Sequence, residues 1–69
     1  MSSSSVAATL VELSAAAEAI AGYQRRVAAL AGPHLGTDRE DLVAAIYEAE
    51  RALRSAERLL QRAAKLAGD

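Results

Sequence analysis

The sequence predicts an all-α fold: an antiparallel αα-hairpin of two long helices, about residues 5–31 and 38–67, that dimerises into a four-helix bundle. Three observations carry that prediction. Apolar residues recur at alternating spacings of 4 and 3 on both sides of residue 34. One cluster, GPHLG at 32–36, interrupts them. No segment alternates apolar and polar residues as a half-buried strand does.

The chain has 69 residues, enough for one small domain, with a polar Ser arm at 1–4 and a hairpin domain over 5–69. A chain this short rarely buries enough apolar surface to be stable alone without a disulfide, a metal or a partner. There is no Cys, and a single His with scattered carboxylates does not make a zinc site. Tight helix packing or self-association is left. Eighteen residues are Ala and nine are Leu, with no Phe or Trp. Ala favours helix and lets backbones approach closely, but it buries little area.

The first helix starts where Ser4 or Ser5 can act as N-cap. Its seam is Val6, Leu10, Leu13, Ala17, Ile20, Gln24, Val27 and Ala31. A spacing alternating between 4 and 3 over more than three heptads marks a coiled-coil-like stripe. Thr9, Ala16, Tyr23 and Leu30, one position earlier, widen it to the breadth of a bundle core. Gly32 supplies a left-handed C′ residue, and Pro33 cannot continue the helix. Leu35 is placed to fold back over the bundle end near Leu30 or Leu42.

Thr37-Asp38-Arg39-Glu40 reads as a capping box, in which Thr37 and Glu40 satisfy each other's backbone N–H groups. Asp38, Glu40 and Asp41 add negative charge at the positive end of the helix dipole. The expected seam of the second helix is Leu42, Ala45, Ala49, Ala52, Ala56, Leu59, Ala63 and Leu66, flanked by Ile46, Leu53, Leu60 and Ala67. Gly68 ends it. The outer face then carries Glu48, Glu50, Arg51, Arg54, Glu57, Arg58, Arg62 and Lys65, with Glu50 and Arg54 at i,i+4.

A connection of about five residues makes the helices antiparallel neighbours, with opposed residue numbers that sum to about 69–70. That register sets Glu18 level with Arg51, Glu12 with Arg58, and Tyr23 with Tyr47. The first helix is apolar around most of its circumference, so it expects more than one packing partner. Val6, Leu10, Leu13, Ala17, Ile20 and Val27 are the expected self-association residues, in a homodimer that buries the first helix more than the second. Gln24, polar on the seam, is a candidate for setting register.

Composition bounds the function. A net charge of −1 gives no global attraction to nucleic acid or to an anionic membrane. The N-terminus has no basic region and no long apolar core, unlike a secretory signal. Glu12, Glu18, Gln24, Arg25 and Arg26 interrupt residues 6–30, which argues against a membrane span and for a cytoplasmic protein. Absent Trp and Phe and sparse cations argue against a membrane-surface peptide. His34 has no Cys or second His to pair with, and reads as a loop residue that faces solvent or bonds a helix-end carbonyl. No Glu-x-x-His pair exists for a bundle di-metal site, and the carboxylates are expected off the seams. No cofactor or metal is expected, and no family motif stands out.

The expectation is a small non-enzymatic protein–protein interaction module, an adaptor, inhibitor or regulatory subunit acting through its helix faces. Its partners are a second copy of itself and a further protein. Tyr47 and Val43, outside the expected seam, are candidate partner anchors, together with Arg51, Arg54, Arg58 and Arg62. The alternative is a nucleic-acid-binding regulator that uses those Arg residues and Lys65 on phosphate. Cations near a helix C-terminus also have a plain role there, complementing the dipole.

Overall fold

The computed structural model describes residues 3–69, with side chains from Ser5 onward; Met1 and Ser2, half of the expected arm, lie outside the described residues. The protein is an all-α helical hairpin. Helix α1 spans Ser3–Ala29, a short 3-10 turn spans Gly32–His34, and helix α2 spans Glu40–Gly68. Ser3 and Ser4 are helical rather than an arm, and Ser5 lies inside α1 rather than capping it. The helices lie side by side in a rod of 56 × 13 × 13 Å. Its radius of gyration is 16.2 Å, against about 11 Å for a compact domain of this length.

The chain reverses later than the sequence suggests. Past Ala29, i→i−3 bonds (Leu30 N to Val27 O, 3.0 Å; Ala31 N to Ala28 O, 3.4 Å; His34 N to Ala31 O, 3.0 Å; Leu35 N to Gly32 O, 3.2 Å) carry it onward in the direction of α1. Pro33 fits because the first turn of a helix needs no donor from it. Gly32 is part of this turn and not left-handed. Gly36, at φ +76°, is the left-handed residue among those described.

Thr37 then closes the turn. Its Oγ1 donates to His34 O at 2.6 Å and accepts from Arg39 N at 3.2 Å. This replaces the expected capping box: Thr37 is spent on the turn, and α2 begins at Glu40 with no side-chain cap. Leu35 does not fold back. It is 56% exposed at the tip, and Leu30 is 58% exposed.

A reversal centred near Thr37 shifts the register. The Nε2 of Gln24 donates to Glu50 Oε2 at 2.5 Å, so opposed residue numbers sum to about 74 rather than about 70, a slip of roughly one turn. Glu18 consequently shares a groove with Glu57 and Gln61, not with Arg51. The expected Glu18–Arg51 and Glu12–Arg58 pairs do not form; the ion pairs among the described residues are Arg39–Asp41 and Arg54–Glu50. Tyr23 and Tyr47 are not level in this register.

On α1 the inner row is the expected one. Leu10, Leu13, Ala17, Ile20, Gln24, Val27 and Ala31 are all buried or half-buried, whereas Val6 is 48% exposed. On α2 the inner row is Val43, Ile46, Glu50, Leu53, Glu57, Leu60, Ala64 and Ala67, also buried or half-buried throughout. That is one residue, about 100°, away from the expected seam. The reason is side-chain size: Val43, Ile46, Leu53 and Leu60 bury more apolar area than the Ala residues of the competing row. The cost is a carboxylate at Glu50, 7% exposed, which Gln24 and Arg54 satisfy.

Candidate interaction surface

The slip in register and the rotation of α2 give the hairpin two unlike broad sides. Ser14, Ala17, Glu18 and Ala21 of α1 and Glu57, Gln61 and Ala64 of α2 line one shallow groove of about 250 Å³. Glu18, Ala21 and Gln61 each follow an inner-row residue by one position. The same step brings Arg54, Arg58 and Tyr47 to this side, with Arg25, Arg51 and Lys65 at its margins. It is polar.

Residues that precede the inner rows fall about 100° the other way, onto the opposite side. From α1 these are Thr9, Ala16, Tyr23 and Leu30, bordered by Glu12, Ala19 and Arg26. From α2 they are the Ala and Leu residues first expected to form its seam. Ala45, Ala49, Ala52, Leu59 and Leu66 are exposed, the two Leu at 63% and 66%. Glu12 and Arg26 are the charges in these rows. The Arg26 guanidinium lies 5.4 Å from the centroid of the Tyr23 ring, close enough for a cation–π contact. An open groove of about 440 Å³, lined by Ala8, Thr9, Glu12, Leu13 and Ala16, runs along the N-terminal half of this side.

This apolar side is what the two helices fail to cover. Among the described residues the buried apolar ones are Ala17, Ala31 and Ala64, and no large side chain is fully buried. The accessible surface is 4994 Å², some ~900 Å² above the ~4,100 Å² expected of a compact monomer of this mass. An 18-residue window within Ser5–His34 has a mean hydropathy of 1.3 and is 6% buried. It has the length and composition of a membrane span, a test that a core helix also passes.

The expected site residues are divided among several places. Of the residues expected to hold two chains together, Leu10, Leu13, Ala17, Ile20 and Val27 are buried or half-buried within the single hairpin, and Val6 is exposed. Val43 is on the inner row and half-buried, so it is no exposed anchor. Tyr47, 38% exposed, stands on the polar side. Arg54 is bound to Glu50 at 2.5 Å, and Arg58 donates to Ser55 Oγ at 3.2 Å. Arg51 and Arg62 are exposed. His34 is half-buried as the last residue of the 3-10 turn, and its backbone carbonyl is the group that Thr37 uses. Among the described residues no three His, Asp or Glu side chains gather into a cation site.

The residues that sequence reasoning missed are Glu50 and Glu57, which lie on the inner row instead of off it. The signal was present. The row Val43, Ile46, Glu50, Leu53, Glu57, Leu60, Ala64, Ala67 has spacings of 3 and 4 as regular as those of its neighbour. Compared with known proteins, the chain matches no family model, no curated protein and no solved structure.

Proposed function

We propose that the chain is a small non-enzymatic protein–protein interaction module that acts through its apolar broad side. One observation carries this reading. Leu59 and Leu66, with Ala45, Ala49 and Ala52, form a regular apolar row that the hairpin leaves in water. A soluble monomer rarely exposes a contiguous apolar patch of more than a few hundred Å² unless something binds there. The row also explains why α2 offers two heptad stripes side by side: one packs on α1 and the other is free for a partner.

Leu59→Arg tests this. At a freely solvated position the change is close to neutral, within about 0.5 kcal/mol. At an interaction surface it abolishes association, and it abolishes binding of an environment-sensitive apolar dye to any uncovered side. The reading fails if the wild-type chain neither associates nor binds the dye, and Leu59→Arg leaves both properties unchanged.

A further inference from the structure

The apolar side has an occupant that its own residue spacing specifies; this rests on the reading of that side as an interaction surface. We propose that a second copy of this chain covers it. The two copies stack about a two-fold axis that crosses the helices at right angles, level with Ala19 on α1 and with the Ser55–Ala56 peptide on α2. Helix α1 then lies antiparallel on α1 of the second copy, and α2 on α2, giving an antiparallel four-helix bundle.

The charges support this first. Glu12, Ala19 and Arg26 occupy one row at equal steps of seven. An axis at Ala19 sets Glu12 level with Arg26 of the second copy, and Arg26 level with Glu12 of that copy. The row is therefore self-complementary, as a two-fold interface requires.

The row on α2 has the same property in shape. Ala45, Ala52, Leu59 and Leu66 also step by seven. An axis at Ser55–Ala56 sets Ala45 against Leu66 of the second copy and Ala52 against its Leu59, small opposite large on each line, so that the layers interdigitate. The two centres were located on separate helices, yet they agree: in the register that the Gln24–Glu50 bond defines, Ala19 is level with position 55. One axis serves both helices.

The area is also sufficient. Two helices side by side over about 40 Å present roughly 800 Å², the share that each partner contributes to an interface of standard size. An Ala-rich row lets helices approach to the short end of the usual range, about 8 Å.

The test uses the full chain, which has no cysteine of its own. Wild type is expected to sediment at twice 7.2 kDa. With copper–phenanthroline and air as oxidant, Ala19→Cys, at the axis, is expected to form a disulfide-linked pair, and Ser55→Cys, on the outer edge of α2, is not. Glu12→Arg alone and Arg26→Glu alone each set like charges together and are expected to self-associate about tenfold more weakly. Mixed with each other, those two variants are expected to form a heterodimer in preference to either homodimer.

Crosslinking through Ser55→Cys in preference to Ala19→Cys overturns the proposal, and so does random pairing in the mixture. A helical species of 7.2 kDa also overturns it. If that monomer binds the apolar dye and Leu59→Arg abolishes the binding, the interaction reading stands without the second copy; if it binds no dye, both fail. A monomer that co-sediments with phosphatidylcholine vesicles puts a membrane where the second copy was proposed.

Discussion

Gln24 of α1 donates to Glu50 of α2 across the helix–helix seam, in the half of the hairpin nearer the turn, Nε2 to Oε2 at 2.5 Å, and Arg54 holds the same carboxylate oxygen from one turn further along α2. A buried carboxylate is stable only with its hydrogen-bonding capacity used. Gln24→Leu removes one of the two partners and is expected to destabilise the hairpin by about 1–3 kcal/mol. Leu at both Gln24 and Glu50 is expected to recover that loss or exceed wild type, because well-packed apolar pairs often replace buried polar ones without cost. Urea denaturation of the two single variants and the double variant measures the coupling. Purely additive losses would show that the bond contributes nothing to the pairing of the helices.

The two glycines of the turn should respond differently. Gly36 has φ +76°, so Gly36→Ala is expected to cost about 1 kcal/mol. A Cβ at Gly32 meets nothing within 4 Å beyond its chain neighbours, but Pro33 follows and disfavours an Ala in the helical region there, which offsets the gain from restricting the unfolded chain, so Gly32→Ala is expected to be close to neutral. Thermal melts of both variants settle where the chain turns. A larger loss from Gly32→Ala than from Gly36→Ala would move the reversal back to Gly32.

Glu40 contributes by charge and not by a reciprocal cap. Thr37 is engaged with His34 and Arg39, so Glu40→Ala removes a dipole interaction worth roughly 0.3–1 kcal/mol at low ionic strength. That cost is expected to fade in about 1 M salt, where the screening length falls to about 3 Å. A cost that persists undiminished in high salt would indicate the uncharged hydrogen bonding of a capping box.

Both helices and their order were legible in the sequence, because long apolar periodicity and a Gly-Pro break are strong local signals. The inner row of α1 was legible too, since residues such as Leu13 and Ile20 outweigh their neighbours. On α2 two heptad rows lie one residue apart. Periodicity alone ranks the Ala-rich row, which contains no charge, above the row with Glu50 and Glu57. Only the packed structure shows that bulk at Ile46, Leu53 and Leu60 decides, and that Gln24 reaches across to Glu50. The register was not legible because it depends on how far the 3-10 turn continues beyond Ala29, and a sequence places such ends only to within about two to four residues. The same two rows explain the ambiguity: a helix that carries two adjacent apolar rows has no single seam for periodicity to find.

The midpoint of thermal unfolding, followed across a hundredfold range of protein concentration, tests most directly whether the hairpin is completed by covering its apolar side. Association that stabilises the folded chain makes the midpoint depend on concentration. For a pair of chains of this length the rise is expected to be on the order of 5–10 °C, and Leu59→Arg is expected to remove the dependence. A cooperative transition whose midpoint stays constant over that range would show that the hairpin is stable with its apolar side in water, and would contradict the account.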